Sequence, residues 1–84
     1  MSAKKTDSNP KTSQMEYKEV IGLQIPINEI LWIRYANDKG EVVYAITSDP
    51  YREMYYLNKV KGGKLIRTRY QSNCPLDFQD KIKI

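Results

Sequence analysis

Residues 53–71, EMYYLNKVKGGKLIRTRYQ, decide the fold of this chain. Two runs containing tyrosine, leucine, valine, isoleucine and threonine flank the dipeptide Gly62-Gly63, and several of these residue types are enriched in β-strands. A diglycine between two such runs is typical of a two-residue hairpin turn, because glycine adopts the positive φ that the turn requires. The stretch therefore predicts two antiparallel strands joined at Gly62 and Gly63.

A two-residue turn also predicts the register of the hairpin, because residues directly opposite each other then have numbers with a constant sum. With the diglycine in the turn, Tyr56 is expected opposite Arg69 on one face. Asn58 is expected opposite Arg67 on the same face, which we interpret as the solvent-facing side of the hairpin. The other face is predicted to hold the intervening pairs, Tyr55 with Tyr70 and Leu57 with Thr68.

Strand signals continue through the rest of the chain. Residues 17–25, 30–36 and 41–48 are rich in apolar, β-branched and aromatic residues, which favours strands. The sequence Asn-Asp-Lys-Gly at 37–40 predicts a hairpin loop, since Gly40 suits a left-handed position. Asp-Pro at 49–50 predicts a further turn, because proline presets φ at the second turn position.

The predicted fold is all-β, an antiparallel meander of four to five strands with a short C-terminal helix. So few short strands usually curl or pack against a helix to cover their apolar face. The arrangement resembles small SH3-like barrels in architecture, and a more open curled sheet is also compatible with it. Residues 74–82 predict the helix, because Pro75 suits a first helical position. The side chains expected to dock on the sheet are Leu76, Phe78 and Ile82.

An alternative interpretation places a helix at residues 50–61, which would make the fold α+β. Asp49 would cap this helix, Pro50 would occupy its first position and Gly62 would follow its end. Against it, the apolar residues 54–57 form one contiguous block and not the stripe with a period of 3.6 residues that a helix needs. We therefore favour the strand.

The chain has 84 residues, enough for one small domain and a tail. Residues 1–14 contain almost nothing to bury, so we expect a disordered basic tail there and a single β domain at 15–84. The tail holds three lysines against one aspartate. It is therefore able to add non-specific attraction to phosphates.

The amino-acid composition excludes some kinds of functional site and makes catalysis an unfavourable interpretation. The chain has no histidine and one cysteine, so it contains no intramolecular disulfide and no Cys/His metal site. Histidine is the most common general acid–base residue near neutral pH. The closest acid pairs, at 16 and 19 and at 77 and 80, lie near the chain ends, where they are expected to be solvated. We therefore predict a protein that is not an enzyme and has no catalytic residues, no metal and no cofactor.

The expected location is cytoplasmic, and no membrane segment is predicted. Uninterrupted aliphatic and aromatic runs such as that at 30–33 are short, far from the roughly 20 residues that cross a bilayer as a helix. No apolar stretch follows the lysines at the N-terminus, as it would in a secretory signal. A single unpaired cysteine is consistent with a reducing compartment.

Charge segregation gives the functional hypothesis. Residues 57–71 hold three lysines and two arginines and no acid, within a chain of net charge +4. Basic groups beside aromatic rings suit single-stranded nucleic acid, because bases stack on the rings and cations attract phosphates. The candidate nucleic-acid-binding residues are Arg67, Arg69, Lys59, Lys61, Lys64, Tyr56, Tyr44 and Arg34.

The first hairpin contributes the last two of these residues. A three-residue loop ending at Gly40 predicts that Arg34 lies opposite Tyr44. The same register predicts that Asn37 faces Glu41. It also places Trp32 beside Ile46 on the face of Arg34 and Tyr44, where we interpret Trp32 as a core residue, because large aromatic side chains dominate small cores.

A protein–protein interaction module is the alternative function. An exposed strand or a tyrosine-rich patch would then serve an adaptor or an inhibitor, because tyrosine supplies contact area and a polar tip. The open edges of a meander allow either a monomer or an edge-to-edge dimer. We favour nucleic acid over a protein partner because a protein interface gives no particular reason for so long a run without acids.

Overall fold

The computed structural model describes residues 16–84, so the predicted basic tail at 1–14 lies outside the described residues. The described chain forms one six-stranded sheet and one 3₁₀ helix. The strands are β1 (Tyr17–Val20), β2 (Leu23–Pro26), β3 (Ile30–Ala36), β4 (Val42–Asp49), β5 (Met54–Lys61) and β6 (Lys64–Ser72), and the 3₁₀ helix is Pro75–Lys81.

The fold class predicted from the sequence is confirmed: the domain is mainly antiparallel β with a short C-terminal helix. The strand order is β1-β2-β6-β5-β4-β3, and the sheet curls into a nearly closed, barrel-like shape. The β1–β2 hairpin joins β6 in parallel through the pair Gln24 and Lys64. The backbone N–H of Gln24 donates to the carbonyl of Gly63 at 2.9 Å there. No helix among residues 16–84 is long and apolar enough to cross a membrane.

The number of strands differs from the four or five expected. The stretch 17–25 is not one strand, because the chain reverses at Ile21 and Gly22, whose φ values are 44° and 83°. The two halves pair with each other as β1 and β2. A positive φ is uncommon for a β-branched residue, so nothing in the local pattern at Ile21 signals this turn.

The alternative helix at 50–61 is wrong, because residues 54–61 form β5. The predicted turn at 49–50 is present: the N–H of Arg52 donates to the carbonyl of Asp49 at 3.2 Å. The side chain of Asp49 also accepts from the N–H of Tyr51 at 3.1 Å. Asp49 therefore stabilises the turn and does not cap a helix.

The predicted register of the β5–β6 hairpin holds near its turn and fails further away. Lys61 pairs with Lys64, and Asn58 pairs with Arg67, as the diglycine predicts. Beyond Asn58 the register shifts by two residues, so Tyr56 pairs with Gln71 and the predicted pairing with Arg69 is wrong. The same shift overturns the predicted pair of Tyr55 and Tyr70, since Tyr55 pairs with Ser72.

In the β3–β4 hairpin, too, one prediction is confirmed and another is wrong. The N–H of Asn37 donates to the carbonyl of Glu41 at 2.8 Å, which confirms the predicted loop. The predicted pair of Arg34 and Tyr44 is wrong, because a register shift next to Ala36 places Tyr35 opposite Tyr44.

A second shift, between Leu31 and Ile33, leaves Trp32 as the extra residue of β3. Between the two shifts, Ile33 takes the place opposite Ile46 that the sequence assigned to Trp32. Trp32 is also not a core residue, since it is 47% exposed.

Apolar side chains pack on both faces of the sheet. We call the face that holds the cluster of Leu23, Ile25 and Ala45 the inner face. The outer face holds Ile46, which follows Ala45 in β4 and therefore points the opposite way, together with Leu57.

The 3₁₀ helix packs on the outer face. Phe78 is 2% exposed against Ile46 and Leu57, and Ile82 packs beside it. Both contacts agree with the predicted docking of the C-terminal helix. Leu76 does not dock, since it is 62% exposed.

Candidate functional site

A row of side chains crosses four strands on the outer face. Tyr35 in β3 lies opposite Tyr44 in β4, and Tyr44 lies opposite Lys59 in β5. Lys59 in turn lies opposite Ile66 in β6. Paired residues point to the same side of a sheet, and both tyrosines contact the outer-face cluster around Ile46. The row therefore presents two phenol rings, an ammonium group and an aliphatic side chain side by side.

Two further lysines extend this row towards the β5–β6 turn. Lys61 and Lys64 are a directly opposed pair, and both are exposed. Lys61 shares the face of Lys59, because the two residues are two positions apart in one strand. The local potential is positive because both side chains of this pair carry a positive charge. Like charges placed directly opposite each other are mildly unfavourable for the sheet. We call Tyr35, Tyr44, Lys59, Lys61 and Lys64 the outer basic patch.

The β3–β4 loop at the same end of the sheet contains the acids Asp38 and Glu41. The side-chain amide of Asn37 donates to the Glu41 carboxylate at 3.0 Å. The Asn37 side chain also accepts from the backbone N–H groups of Lys39 and Glu41, each at 2.9 Å. These hydrogen bonds hold Glu41 within its own loop, where its carboxylate stabilises the connection between β3 and β4.

Arg67 and Tyr56 face the interior, not the solvent-facing side expected from the sequence. The guanidinium of Arg67 lies 4.0 Å from the centre of the Tyr56 ring. Its Nη2 donates to both carboxylate oxygens of Glu29, at 2.6 and 2.7 Å. The Glu29 side chain is 7% exposed and that of Arg67 is 39% exposed. Arg67 thus reaches the surface only in part, and its charge is matched internally.

Neighbouring polar groups complete this inner cluster. Asn58 accepts from Nε of Arg67 at 2.8 Å and donates to Oγ1 of Thr47 at 3.2 Å. Thr47 in turn donates to Glu29 at 2.7 Å. A buried charge is tolerated when it is paired and its remaining sites are bonded. We call Glu29, Thr47, Asn58 and Arg67 the inner polar cluster, and its closed network indicates a structural role for Arg67.

Arg69 lies next to a ring of the outer face. Its guanidinium carbon is 5.5 Å from the centre of the Tyr70 ring, and Nζ of Lys81 is 5.1 Å from the same centre. Hydrogen bonding to Arg69, its positive charge and that of Lys81 lower the pKa of the Tyr70 phenol below its usual range. These cations lie where the 3₁₀ helix meets the sheet, apart from the outer basic patch.

Arg34 is exposed on β3 and lies opposite Ala45, an inner-face residue. It therefore does not share a face with Tyr44. Of the eight candidate residues, the register brings four together on the outer face: the half-buried Tyr44 and the exposed Lys59, Lys61 and Lys64.

Sequence reasoning missed Glu29 and Asp49, two carboxylates that the fold buries. One signal was available for Glu29, which is the single acid in the otherwise mostly apolar stretch 25–33. For Asp49 the Asp-Pro pair predicted a turn but gave no indication of burial. Both carboxylates line a cleft of about 510 Å³, which also includes Tyr56 and Arg67.

Among residues 16–84, no group of three or more histidine, cysteine, aspartate or glutamate side chains is placed to hold a metal ion. No protein-family model, curated protein or solved structure matches the chain.

Proposed function

We propose that this protein binds single-stranded nucleic acid through the outer basic patch. The observation that carries the proposal is the direct opposition of Lys59 and Tyr44 in β5 and β4, with Tyr35 next in the row. An exposed cation and two half-buried phenol rings then lie one strand apart on the outer face of the sheet. Neighbouring strands are about 4.8 Å apart, so an extended chain of nucleotides is able to contact several of these groups at once.

Two physical effects support this ligand. Stacking of a base on an aromatic side chain contributes about 1–3 kcal/mol and tolerates any base. Lys59, Lys61 and Lys64 supply charge for phosphates, and each contact made with a single strand adds about −0.7 to the slope of log K against log salt. Three contacts therefore predict a slope of about −2.

Arg67 and Tyr56 are outside the proposed surface, because Glu29 already matches the charge of Arg67 and Tyr56 is 6% exposed. Arg34 and Arg69 lie on other parts of the sheet and are expected to add long-range attraction only. The proposed surface therefore contains fewer residues than the sequence predicts, and substitutions of its lysines should weaken binding more than substitutions of the other basic residues.

Fluorescence anisotropy with a labelled single-stranded oligonucleotide, at low and moderate salt, tests the proposal. The double variant Lys59→Ala/Lys61→Ala should weaken binding about tenfold at low salt and flatten the salt dependence. The matched control is Lys18→Ala/Lys83→Ala, which removes the same charge elsewhere and should cause a clearly smaller loss. Equal losses from the two double variants would show that only net charge matters, and the proposal would be wrong.

The aromatic part of the patch needs its own variant. Tyr44→Leu keeps an apolar side chain against Ile46 but removes the ring, so affinity should fall by about the stacking energy of one base, 1–3 kcal/mol. Tyr51→Leu is the matched control, because Tyr51 is 91% exposed in the β4–β5 turn. Unchanged affinity of Tyr44→Leu would remove stacking from the proposal.

A protein partner is the second candidate, and the edge strand β3 favours it. Ile30, Trp32 and Ile33 are 52%, 47% and 37% exposed, and exposed apolar groups on one element mark interaction surfaces. Edge-to-edge pairing of two copies is disfavoured, because the extra residue Trp32 breaks the alternation of β3. A protein complex that persists at physiological salt should be lost with Ile30→Ser/Trp32→Ala and kept with Lys59→Ala/Lys61→Ala. The reverse pattern would reject this candidate.

A further inference from the structure

The cleft of the inner face holds a second set of charges that the proposed function does not use. Beside the matched pair of Glu29 and Arg67, the cleft is lined by Asp49 and Arg52. The Asp49 side chain is 5% exposed, whereas that of Arg52 is 77% exposed. A buried carboxylate therefore faces a cation that remains largely in solvent.

The contact between these two residues is loose. Nε of Arg52 lies 3.8 Å from Oδ2 of Asp49, beyond the distance of a hydrogen bond. Oδ1 of Asp49 accepts from the N–H of Tyr51, but within residues 16–84 no hydrogen bond reaches Oδ2. A buried carboxylate oxygen without a donor is costly, since burial removes its hydration. Oδ2 thus keeps an acceptor position that no hydrogen-bond donor of the described residues fills.

We propose that the cleft binds a small zwitterion, an α-amino acid with an apolar side chain. Its ammonium group donates to Oδ2 of Asp49, and its carboxylate accepts from the guanidinium of Arg52. One loose ion pair is thereby replaced by two charge-assisted hydrogen-bonded pairs, which are the strong ones. This proposal does not depend on the nucleic-acid proposal, because the two use different residues on different faces.

The charge balance of the cleft favours a zwitterion over a simple cation or anion. Two carboxylates and two guanidinium groups line the cleft, so a ligand of either net charge meets repulsion as well as attraction. The apolar part of the ligand has surfaces to contact, because Pro26, Leu65 and the Tyr56 ring also line the cleft. A cleft of about 510 Å³ is within the range of small-molecule sites, roughly 300–1,000 Å³.

The probe is L-leucine, titrated into the ¹⁵N-labelled full chain and followed by amide and arginine Nε–H chemical shifts. For so small a ligand we expect a dissociation constant on the order of 1 mM. The shifts should saturate at Tyr51 and at Nε of Arg52. Isopentylamine and 4-methylpentanoate are matched half-ligands that lack the carboxylate and the ammonium group, respectively. Each should bind about tenfold more weakly, because each loses one charged hydrogen bond.

Asp49→Asn is the deciding variant, because asparagine keeps an oxygen for the N–H of Tyr51 and removes only the charge. It should weaken L-leucine binding at least about tenfold, and Arg52→Gln should weaken it similarly. Asp77→Asn, in the 3₁₀ helix, is the control and should leave binding unchanged. Absence of saturable shifts in the wild-type chain, equal binding by Asp49→Asn, or equal binding of isopentylamine and L-leucine would each overturn the proposal.

Discussion

The guanidinium of Arg67 lies over the ring of Tyr56, 4.0 Å from its centre, although the two residues are not paired across β5 and β6. Arg67 pairs with Asn58, and Tyr56 pairs with Gln71, so the contact is diagonal. Diagonal neighbours in a sheet are within reach of long and aromatic side chains. The ring supports the guanidinium from one side while Glu29 binds its end, so Arg67 is held in one orientation.

This arrangement predicts that two arginines of the same strand differ in their effect on stability. Arg67→Ala should lower the free energy of unfolding by about 2 kcal/mol, because it leaves Glu29 buried without its cation. The expected loss is below that of a fully buried pair, since the Arg67 side chain is 39% exposed. Arg69→Ala should cost below about 1 kcal/mol, as is usual for an exposed cation–π contact. Urea unfolding measures both, and equal losses would contradict a structural role for Arg67.

Among the glycines of the described chain, Gly63 should be the one whose replacement by alanine destabilises the fold most. A Cβ at Gly63 would lie 2.7 Å from the carbonyl oxygen of Gly22, whereas a Cβ at Gly40 would meet nothing within 4 Å. Their φ values, +78° and +82°, are similar, so Gly40→Ala controls for backbone strain. Gly63→Ala should cost about 1 kcal/mol more than Gly40→Ala, because the turns of two hairpins must separate. Thermal unfolding of both variants measures this difference, and equal values would contradict the close approach.

The aromatic residues Trp32 and Phe78 should contribute very differently to stability. Phe78 is 2% exposed and joins the helix to the sheet, so Phe78→Ala should cost about 3 kcal/mol or more. Trp32 touches Tyr55 edge-to-face, with 5.7 Å between ring centres, but it is 47% exposed. Trp32→Ala should therefore cost about 1 kcal/mol. Acrylamide should quench the tryptophan fluorescence efficiently, and strong protection from quenching would contradict the exposed position.

Tyr70 should ionise at lower pH than an ordinary tyrosine, since Arg69 and Lys81 lower the pKa of its phenol below 10.0. The native-state pKa is depressed, so the resulting stabilisation is present above the unfolded-state pKa and is lost as pH falls through the native-state value. Ultraviolet titration of the wild type minus Tyr70→Phe isolates this phenol among the seven tyrosines. Arg69→Ala should raise its midpoint, and a wild-type midpoint at or above 10.0 would refute the assignment.

Local sequence patterns predict the elements of this fold because each pattern acts over a few residues. The diglycine predicts its turn and the pairs closest to it, Lys61 with Lys64 and Asn58 with Arg67. The Asn-Asp-Lys-Gly loop and the Asp-Pro turn are equally local. Pro75 correctly marks the start of the C-terminal helix.

Register beyond the turns is less predictable, because an inserted residue shifts all the pairs that follow it. Trp32 in β3 is one such insertion. The β5–β6 pair has another, because Asn58 and Tyr56 are two positions apart in β5 whereas their partners Arg67 and Gln71 are four positions apart in β6. Neither has a glycine or proline to mark it. The shift between Asn58 and Tyr56 explains why the predicted pair Tyr56–Arg69 is wrong, and the other β3–β4 shift, between Tyr35 and Ala36, explains why the predicted pair Arg34–Tyr44 is wrong.

The sequence by itself determined an all-β chain with hairpin turns at glycine-containing loops, a short C-terminal helix and a strongly basic last hairpin, since propensity, turn chemistry and charge are properties of neighbouring residues. The tertiary structure alone decided which side of that hairpin is inside. The β1–β2 hairpin pairs with β6, and Glu29 meets Arg67 across 38 positions of sequence. With Arg67 and Tyr56 on the inner face, the alternation of side chains along the strands places Lys59 and Tyr44 on the outer face, and Arg67 supplies the cation that the buried Glu29 carboxylate needs.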